Sequence, residues 1–234
     1  MTGKKLPLII LPGSMCDEWA YAAQIEALSS DHDVRVPHLL EANSLEAMAE
    51  AVLCSAPARF ALVGHAMGGR VALEVLRRAA ERISALALIA TTVHPVRDGE
   101  GPRRQTQIDL ARAQGMTALA QSWLPRVVHP AHVQNTALMQ GLTQMYGRFS
   151  AEDYEREVKA LLRRPDPRPV LAQIRCPTLV LSGREDPLCA PQLSESIAAQ
   201  IGGARLEIFD ECAHFPTLEQ PEAATRALSE LLRG

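Results

Sequence analysis

Three segments of the chain carry side chains that could perform acyl transfer. Residues 64–69 read Gly-His-Ala-Met-Gly-Gly, which is the G-x-S-x-G pattern of a nucleophile elbow except that residue 66 is alanine. Asp186 and His214 follow later, in the order acid and then histidine that such an elbow requires. A histidine oriented by a carboxylate is the base that activates a serine. We therefore predict that Ala66, Asp186 and His214 occupy the three positions of a catalytic triad.

Each of these assignments has a plainer alternative. A lone histidine such as His214 is by default a packed or solvated loop residue, and Asp186 precedes a proline, which is also typical of a turn. Glu185 is the alternative acid. The functional interpretation is favoured because both residues follow apolar runs typical of strands, so that both belong at one sheet edge.

An oxyanion hole needs two backbone N–H groups. The elbow geometry places the amide of Met67 at a helix N-terminus, and the loop after the first strand would supply the second donor. Gly13 in that loop permits close backbone approach, and we predict that Ser14 donates, with Met15 as the less favoured donor.

The elements that must position these residues follow a repeating pattern. Helical patterns at residues 18–28, 44–54, 69–80, 191–201 and 221–232 alternate with short apolar runs. The runs predict six strands at residues 6–11, 34–36, 60–63, 83–90, 177–181 and 204–209. We predict an α/β fold with a doubly wound, mostly parallel sheet flanked by helices.

Residues 94–172 interrupt this alternation. They show helical periodicity without a convincing strand, and the proline-rich stretch 164–169 cannot continue a helix. We predict a core of residues 1–93 and 173–234 that carries a small helical cap of residues 94–172.

A set of apolar and histidine side chains is predicted to contact substrate. Core packing is the alternative for the cap residues, and packing against the sheet is the alternative for His65. The predicted substrate-binding residues are Met15, His65, Trp123, Met145 and Tyr146. His129 and His132 could bracket a metal ion, but no third ligand cluster accompanies them, so we expect neither a metal site nor a cofactor.

The loop at residues 12–13, the elbow, the strand-loop ending in Asp186 and the segment 214–222 match one family in order and spacing. The chain resembles the α/β-hydrolase superfamily, close to its bacterial carboxylesterase and enol-lactonase branches. The resemblance implies a helical cap over the pocket and a sheet of eight strands. Because the first apolar run begins at residue 6, we expect the usual leading hairpin to be absent.

Alanine at position 66 has no lone pair to attack a carbonyl, so the acyl-enzyme route is closed in this chain. We favour a deliberate Ser→Ala replacement in a hydrolase of small carboxylic esters or lactones. The alternatives are a natural family member that uses His214 and Asp186 as a general base for lyase or oxygenase chemistry, and a non-catalytic small-molecule-binding protein.

Composition narrows the function classes. A net charge of -3 without a dense Lys/Arg run argues against nucleic-acid binding, and the apolar stretches are too short to span a bilayer. Five scattered cysteines indicate reduced thiols, and Cys16 and Cys212 lack the setting that activates a nucleophile. We expect a cytoplasmic monomer or homodimer whose partner is a small-molecule ester or lactone.

Overall fold

The computed structural model describes residues 5–233 and contains one sheet in which every strand pairs in parallel with its neighbours. The strands are β1 (Leu6–Leu11), β2 (His32–Arg35), β3 (Phe60–His65), β4 (Ile83–Ile89), β5 (Thr178–Gly183) and β6 (Arg205–Phe209). Their order is β2-β1-β3-β4-β5-β6. This confirms the predicted fold class, and the six strands found within residues 5–233 are two fewer than the resemblance implies. Residues 1–4 and 234 of the predicted core lie outside the described residues.

The helices of residues 5–233 pack on both faces of the sheet. They are α1 (Ala22–Leu28), α2 (Leu45–Ser55), α3 (Met67–Ala79), α4 (Glu100–Trp123), α5 (Pro130–Val133), α6 (Thr136–Gly147), α7 (Ala151–Leu162), α8 (Arg168–Leu171), α9 (Pro191–Ala199), α10 (Pro216–Glu219) and α11 (Pro221–Arg233). The helix predicted over residues 18–28 is divided, because a 3-10 turn (Glu18–Tyr21) precedes α1. Ser44 caps α2, since its hydroxyl accepts the N–H of Ala47.

The sheet lies between two hydrophobic clusters. Along β1, Leu8 and Ile10 belong to the cluster that contains α1, α11 and most of the apolar cap residues, whereas Ile9 and Leu11 belong to the cluster that contains α2, α3 and α9. This division follows from the two-residue period of a strand that is buried on both faces. The continuous apolar runs of the sequence therefore reflect burial on both sides of the sheet.

Helices α4 to α8 occupy the chain between β4 and β5, and no strand lies there in the described residues. Gly115 interrupts α4 with φ 85°, a backbone conformation that favours glycine. The helix α7 ends before the proline-rich stretch, as expected, but α8 begins inside it. Val170 and Leu171 of α8 belong to the cluster of α2 and α3. The last residues of the predicted cap therefore pack with the core, and the division at residues 93 and 173 stays a prediction.

No helix within residues 5–233 combines the length and apolar character needed to cross a bilayer.

Candidate active site

The turn between β3 and α3 is strained at Ala66. This residue has φ 50° and ψ -109°, a positive φ that side chains other than glycine rarely adopt. The neighbouring glycines make the turn possible, because a Cβ at Gly68 would collide with the backbone of Leu11 and one at Gly64 with the backbone of Gly68. The sequence prediction of an elbow at residues 64–69 matches this geometry.

Hydrogen bonds from β4 and the residues after it hold the elbow. The N–H of Ala66 donates to the carbonyl of Ile89 at 2.9 Å, and the hydroxyl of Thr91 donates to the carbonyl of Ala66 at 2.7 Å. The strained residue is thus anchored at both its amide and its carbonyl. Such anchoring is what allows an unfavourable backbone conformation to persist.

Asp186 and His214, which follow β5 and β6, are in direct contact. The Nδ1 of His214 lies 2.8 Å from Oδ2 of Asp186, and the other carboxylate oxygen accepts the N–H groups of Leu188 at 2.8 Å and Cys189 at 3.1 Å. Burial raises the pKa of Asp186, but the contact with His214 and these hydrogen bonds outweigh it and leave the pKa lowered. An ionised Asp186 can only accept, so Nδ1 carries the proton and Nε2 can act as a base.

The alternative acid, Glu185, points elsewhere. Its Oε2 accepts the N–H of Cys212 at 3.1 Å, and 37% of its side chain is exposed. Asp186 is 3% exposed and is the carboxylate that touches His214. The structure therefore brings together the pair that the sequence prediction preferred.

Glu219, for which the sequence analysis assigned no role, supports the loop that bears His214. Its Oε1 accepts the N–H groups of Ala213 at 3.2 Å and Phe215 at 3.0 Å, on either side of His214. The N–H of His214 itself donates to the carbonyl of Val127, between α4 and α5, at 3.0 Å. The only signal in the sequence was the position of Glu219 within the 214–222 segment, which does not reveal its hydrogen-bond partners.

The pair His129 and His132 also contacts Glu219. Its Oε2 accepts the N–H of His129 at 2.8 Å and lies 3.2 Å from Nδ1 of His132. The two imidazole rings are 5.5 Å apart. These contacts give both histidines a role in joining the cap to the His214 loop.

His65 links the loop after β1 to the His214 loop. Its Nε2 lies 2.8 Å from the carbonyl of His214, so this nitrogen donates, and its Nδ1 accepts from the hydroxyl of Tyr21 at 3.0 Å. That hydroxyl in turn accepts the N–H of Gly13 at 3.2 Å. Burial, assisted by the nearby His214 ring, lowers the pKa of His65 to about 3. A neutral His65 with both nitrogens occupied connects two loops of the site.

The cap residue Glu157 holds the predicted oxyanion loop. Its Oε2 accepts the hydroxyl of Ser14 at 2.6 Å and the N–H of Met15 at 3.1 Å. Met15 has φ 56°, so this loop is also strained. The N–H of Met15, the less favoured donor, is thereby occupied, whereas the N–H groups of Ser14 and Met67 have no backbone acceptor within residues 5–233.

Sequence reasoning missed Glu157, although one signal for it exists. Tyr154, Val158 and Leu161 form the buried stripe of α7, and Glu157 lies on that stripe. A glutamate among apolar positions must find donors or take up a proton. Burial raises the pKa of Glu157 to about 7, with Asp153 adding to it, while the bonds from the Ser14 loop oppose this rise.

A cavity of about 360 Å³ lies between the elbow and the cap. Ala66 and His214 both line it, as do most of the other predicted site residues: Ser14, His65, Met67, Trp123 and Tyr146. Met15 and Met145, predicted to contact substrate, are fully buried in the hydrophobic cluster and do not line it. The sequence indicates only that Met15 lies in a loop and Met145 in a helix. It does not show that both side chains point into the protein interior.

The buried thiols do not replace the missing nucleophile. Burial raises the pKa of Cys16, Cys189 and Cys212 well above the ordinary value of a thiol, so each stays protonated. Ligand-type atoms of Asp186, Cys189 and His214 lie within 4.8 Å of one another, but both carboxylate oxygens already accept hydrogen bonds. We interpret this cluster as the acid–histidine pair beside a packed thiol.

The sheet order and the strained turn after its central strand define the class of protein, an α/β fold whose site lies at the carboxyl edge of parallel strands. A family model described as the alpha/beta hydrolase family matches residues 8–228, and the chain belongs to that family.

The proteins similar to this chain include a lactonase and esterases. The chain is 28% identical over 73% of its length to 3-oxoadipate enol-lactonase 2 of Acinetobacter baylyi, and the match spans 62% of that protein. It is 26% identical over 94% of its length to the pimeloyl-acyl-carrier-protein methyl ester esterase of Nitrosomonas europaea, of which it covers 93%. A solved structure of a thermophilic esterase from Thermogutta terrifontis, with malate bound, has a TM-score of 0.88 and 28% identity, over 99% of this chain and 91% of that one. These similar proteins support a hydrolase activity for this chain.

Proposed function

We propose that this fold serves hydrolysis of small carboxylic esters or lactones through an acyl-enzyme when serine occupies position 66, and that the Ala66 chain is the inactive Ser→Ala form. The observation that carries the proposal is the strained Ala66, which lines one cavity with a His214 that is hydrogen-bonded to Asp186. An enol-lactonase and a methyl ester esterase among the similar proteins support lactones and esters as the substrate class.

In the proposed reaction each of these residues has one step. A serine hydroxyl at position 66 attacks the substrate carbonyl while Nε2 of His214 takes its proton, and Asp186 stabilises the imidazolium. The N–H groups of Ser14 and Met67 bind the oxyanion. His214 then gives the proton to the leaving alkoxide, and it activates a water that releases the acid and restores the serine.

The backbone at Ala66 supports the replacement hypothesis. A residue held at this conformation costs on the order of 1–3 kcal/mol, which is useful chiefly for presenting a nucleophile. Alanine gains nothing from the strain, since a methyl group cannot react. Removal of the nucleophile from such a triad lowers kcat by roughly a million-fold.

A second candidate function keeps Ala66 as the native residue. The Asp186–His214 pair is complete without a serine, so His214 could serve as a general base in lyase or oxygenase chemistry. The same cavity without turnover would be that of a small-molecule-binding protein.

The deciding experiment compares Ala66→Ser with the chain as it stands on short-chain p-nitrophenyl esters and on lactones. We expect turnover by the serine form alone, and its loss in the Ala66→Ser/His214→Ala double variant. Activity of the Ala66 chain that His214→Ala abolishes would instead support the general-base function. If the serine form is no faster than the alanine form across the panel, the hydrolase proposal is wrong.

A further inference from the structure

The cavity wall formed by α3, the start of the cap and the segment after α7 is rich in arginine. Five arginines line the cavity, namely Arg70, Arg97, Arg103, Arg104 and Arg164. Only two carboxylates, those of Asp98 and Glu100, line it with them. The chain as a whole has a net charge of -3, so this local excess of positive charge runs against the overall composition.

One of the two carboxylates is already committed. Glu100 forms a buried, two-pronged ion pair with Arg164, at 2.9 Å and 2.7 Å, and it also lies 3.8 Å from Arg104. Its single negative charge is therefore shared between two guanidinium groups. It contributes little to neutralising the arginines that remain.

Arg70 is a buried arginine whose charge is left unmatched, whereas Arg97 and Arg103 are exposed. It is 5% exposed, and its Nη2 donates to the hydroxyl of Thr92 at 2.7 Å and the carbonyl of His94 at 3.0 Å. Its Nη1 is buried and has no hydrogen-bond partner, and no carboxylate lies within 4.0 Å of Arg70 in the described part of the chain. A buried charge without a partner is costly and is typical of a functional site.

Arg70 remains charged despite its burial. Burial, together with the smaller effect of the neighbouring Arg164, lowers its pKa to about 9. The guanidinium is thus protonated at neutral pH. Its position four residues after Ala66 on α3 places its backbone about one helical turn from the elbow.

We propose that Arg70 binds a carboxylate on the substrate, so that the preferred substrates are short dicarboxylate half-esters or carboxylate-bearing lactones. This inference rests on the proposed hydrolase function. A carboxylate fits the planar fork of a guanidinium and would supply both the missing charge and the missing acceptor. A neutral acyl chain would leave Nη1 without either.

The test measures binding to the Ala66 chain, which needs no turnover. Isothermal titration calorimetry compares monomethyl glutarate with dimethyl glutarate, which differ in the charge at one end. We expect the half-ester to bind about tenfold more tightly or better, as one charge-assisted pair implies. Arg70→Met should abolish the preference, Arg70→Lys should keep part of it, and Arg126→Met, at an exposed cap position outside the cavity, should keep all of it.

Equal binding of the two compounds by the unmutated chain would overturn the proposal, as would an unchanged preference in a folded Arg70→Met variant. Should Arg70→Met fail to melt cooperatively, the compound pair and Arg70→Lys decide the question. An Ala66→Ser form that hydrolyses both compounds equally well would contradict the carboxylate site and leave the hydrolase function standing. Tight half-ester binding without hydrolysis by the serine form would contradict the hydrolase function alone.

Discussion

Glu157 connects the cap to the loop that follows β1 through one oxygen atom. Its Oε2 accepts both the hydroxyl of Ser14 and the N–H of Met15, while Tyr154 and Val158 of α7 pack in a hydrophobic cluster. The buried carboxyl group thus accepts hydrogen bonds from two donors that lie in the predicted oxyanion loop. Its protonation state therefore couples pH to the stability of this part of the site.

Glu157→Gln should reduce the pH dependence of folding stability. The folded chain holds the Glu157 proton up to a pKa of about 7, whereas the unfolded chain releases it near the ordinary value of 4.5. Between these values the folded state binds more protons, so the free energy of unfolding falls as pH rises, by at most about 1.4 kcal/mol per pH unit. Glutamine keeps an acceptor oxygen for both donors but does not titrate.

Urea unfolding at pH 5, 6, 7 and 8 checks this expectation. The unmutated chain should lose stability across the range relative to Glu157→Gln, with the difference complete above pH 7. Glu152→Gln, an exposed position on the same helix, is the matched control and should follow the unmutated chain. Parallel pH profiles for all three proteins would show that Glu157 does not titrate in this window.

At the scale of the elements, the elbow requires that β1, β3 and α3 approach one another without side chains at two positions. Gly68 lies against the backbone of Leu11 and Pro12, and Gly64 lies against that of Gly68 and Gly69. Gly68 brings the first turn of α3 against the end of β1, and Gly64 brings the end of β3 against that same turn of α3. The elbow is therefore a packing constraint as well as a means of presenting residue 66.

Gly68→Ala should destabilise the protein strongly, because its Cβ would overlap backbone atoms that cannot move without displacing β1. We expect a loss of about 3 kcal/mol or more, the upper range for overpacking, and a fall in Tm of about 6–12 °C. Gly101→Ala is the matched control, since a Cβ in the first turn of α4 meets nothing within 4 Å and alanine favours a helix. A thermal melt of Gly68→Ala that matches the control would refute close packing at the elbow.

The same elements show what the sequence could and could not predict. The buried strands β1, β3 and β4 were predicted within two residues because their apolar runs are continuous, whereas β2, which is short and only partly buried, was placed two residues late. The elbow, Asp186 and His214 follow local motifs. A linear pattern does not reveal contacts between residues far apart in sequence, such as those of Glu157 with Ser14 and of Glu219 with His129. It also does not reveal that a buried group such as Nη1 of Arg70 lacks a partner.

At the scale of the whole molecule, the cap and the core meet at the loops that carry the site. The backbone of His214 donates to Val127, Glu219 accepts from His129, and Glu157 accepts from Ser14. Each contact joins a cap segment to a loop at the carboxyl edge of the sheet. The predicted cap therefore not only lines the cavity but also holds the loops of the site through these hydrogen bonds.

Glu219→Ala should loosen the cap and the His214 loop together. The substitution leaves the N–H groups of Ala213, Phe215 and His129 without their acceptor in a buried region, at about 1–3 kcal/mol for each group. Hydrogen exchange followed by mass spectrometry should then show faster exchange in residues 127–132 and 212–216, with β3 and β4 still protected. Glu222→Ala, at an exposed position in the first turn of α11, should leave both segments unchanged. Faster exchange confined to residues 212–216 would mean that the cap is held independently of Glu219.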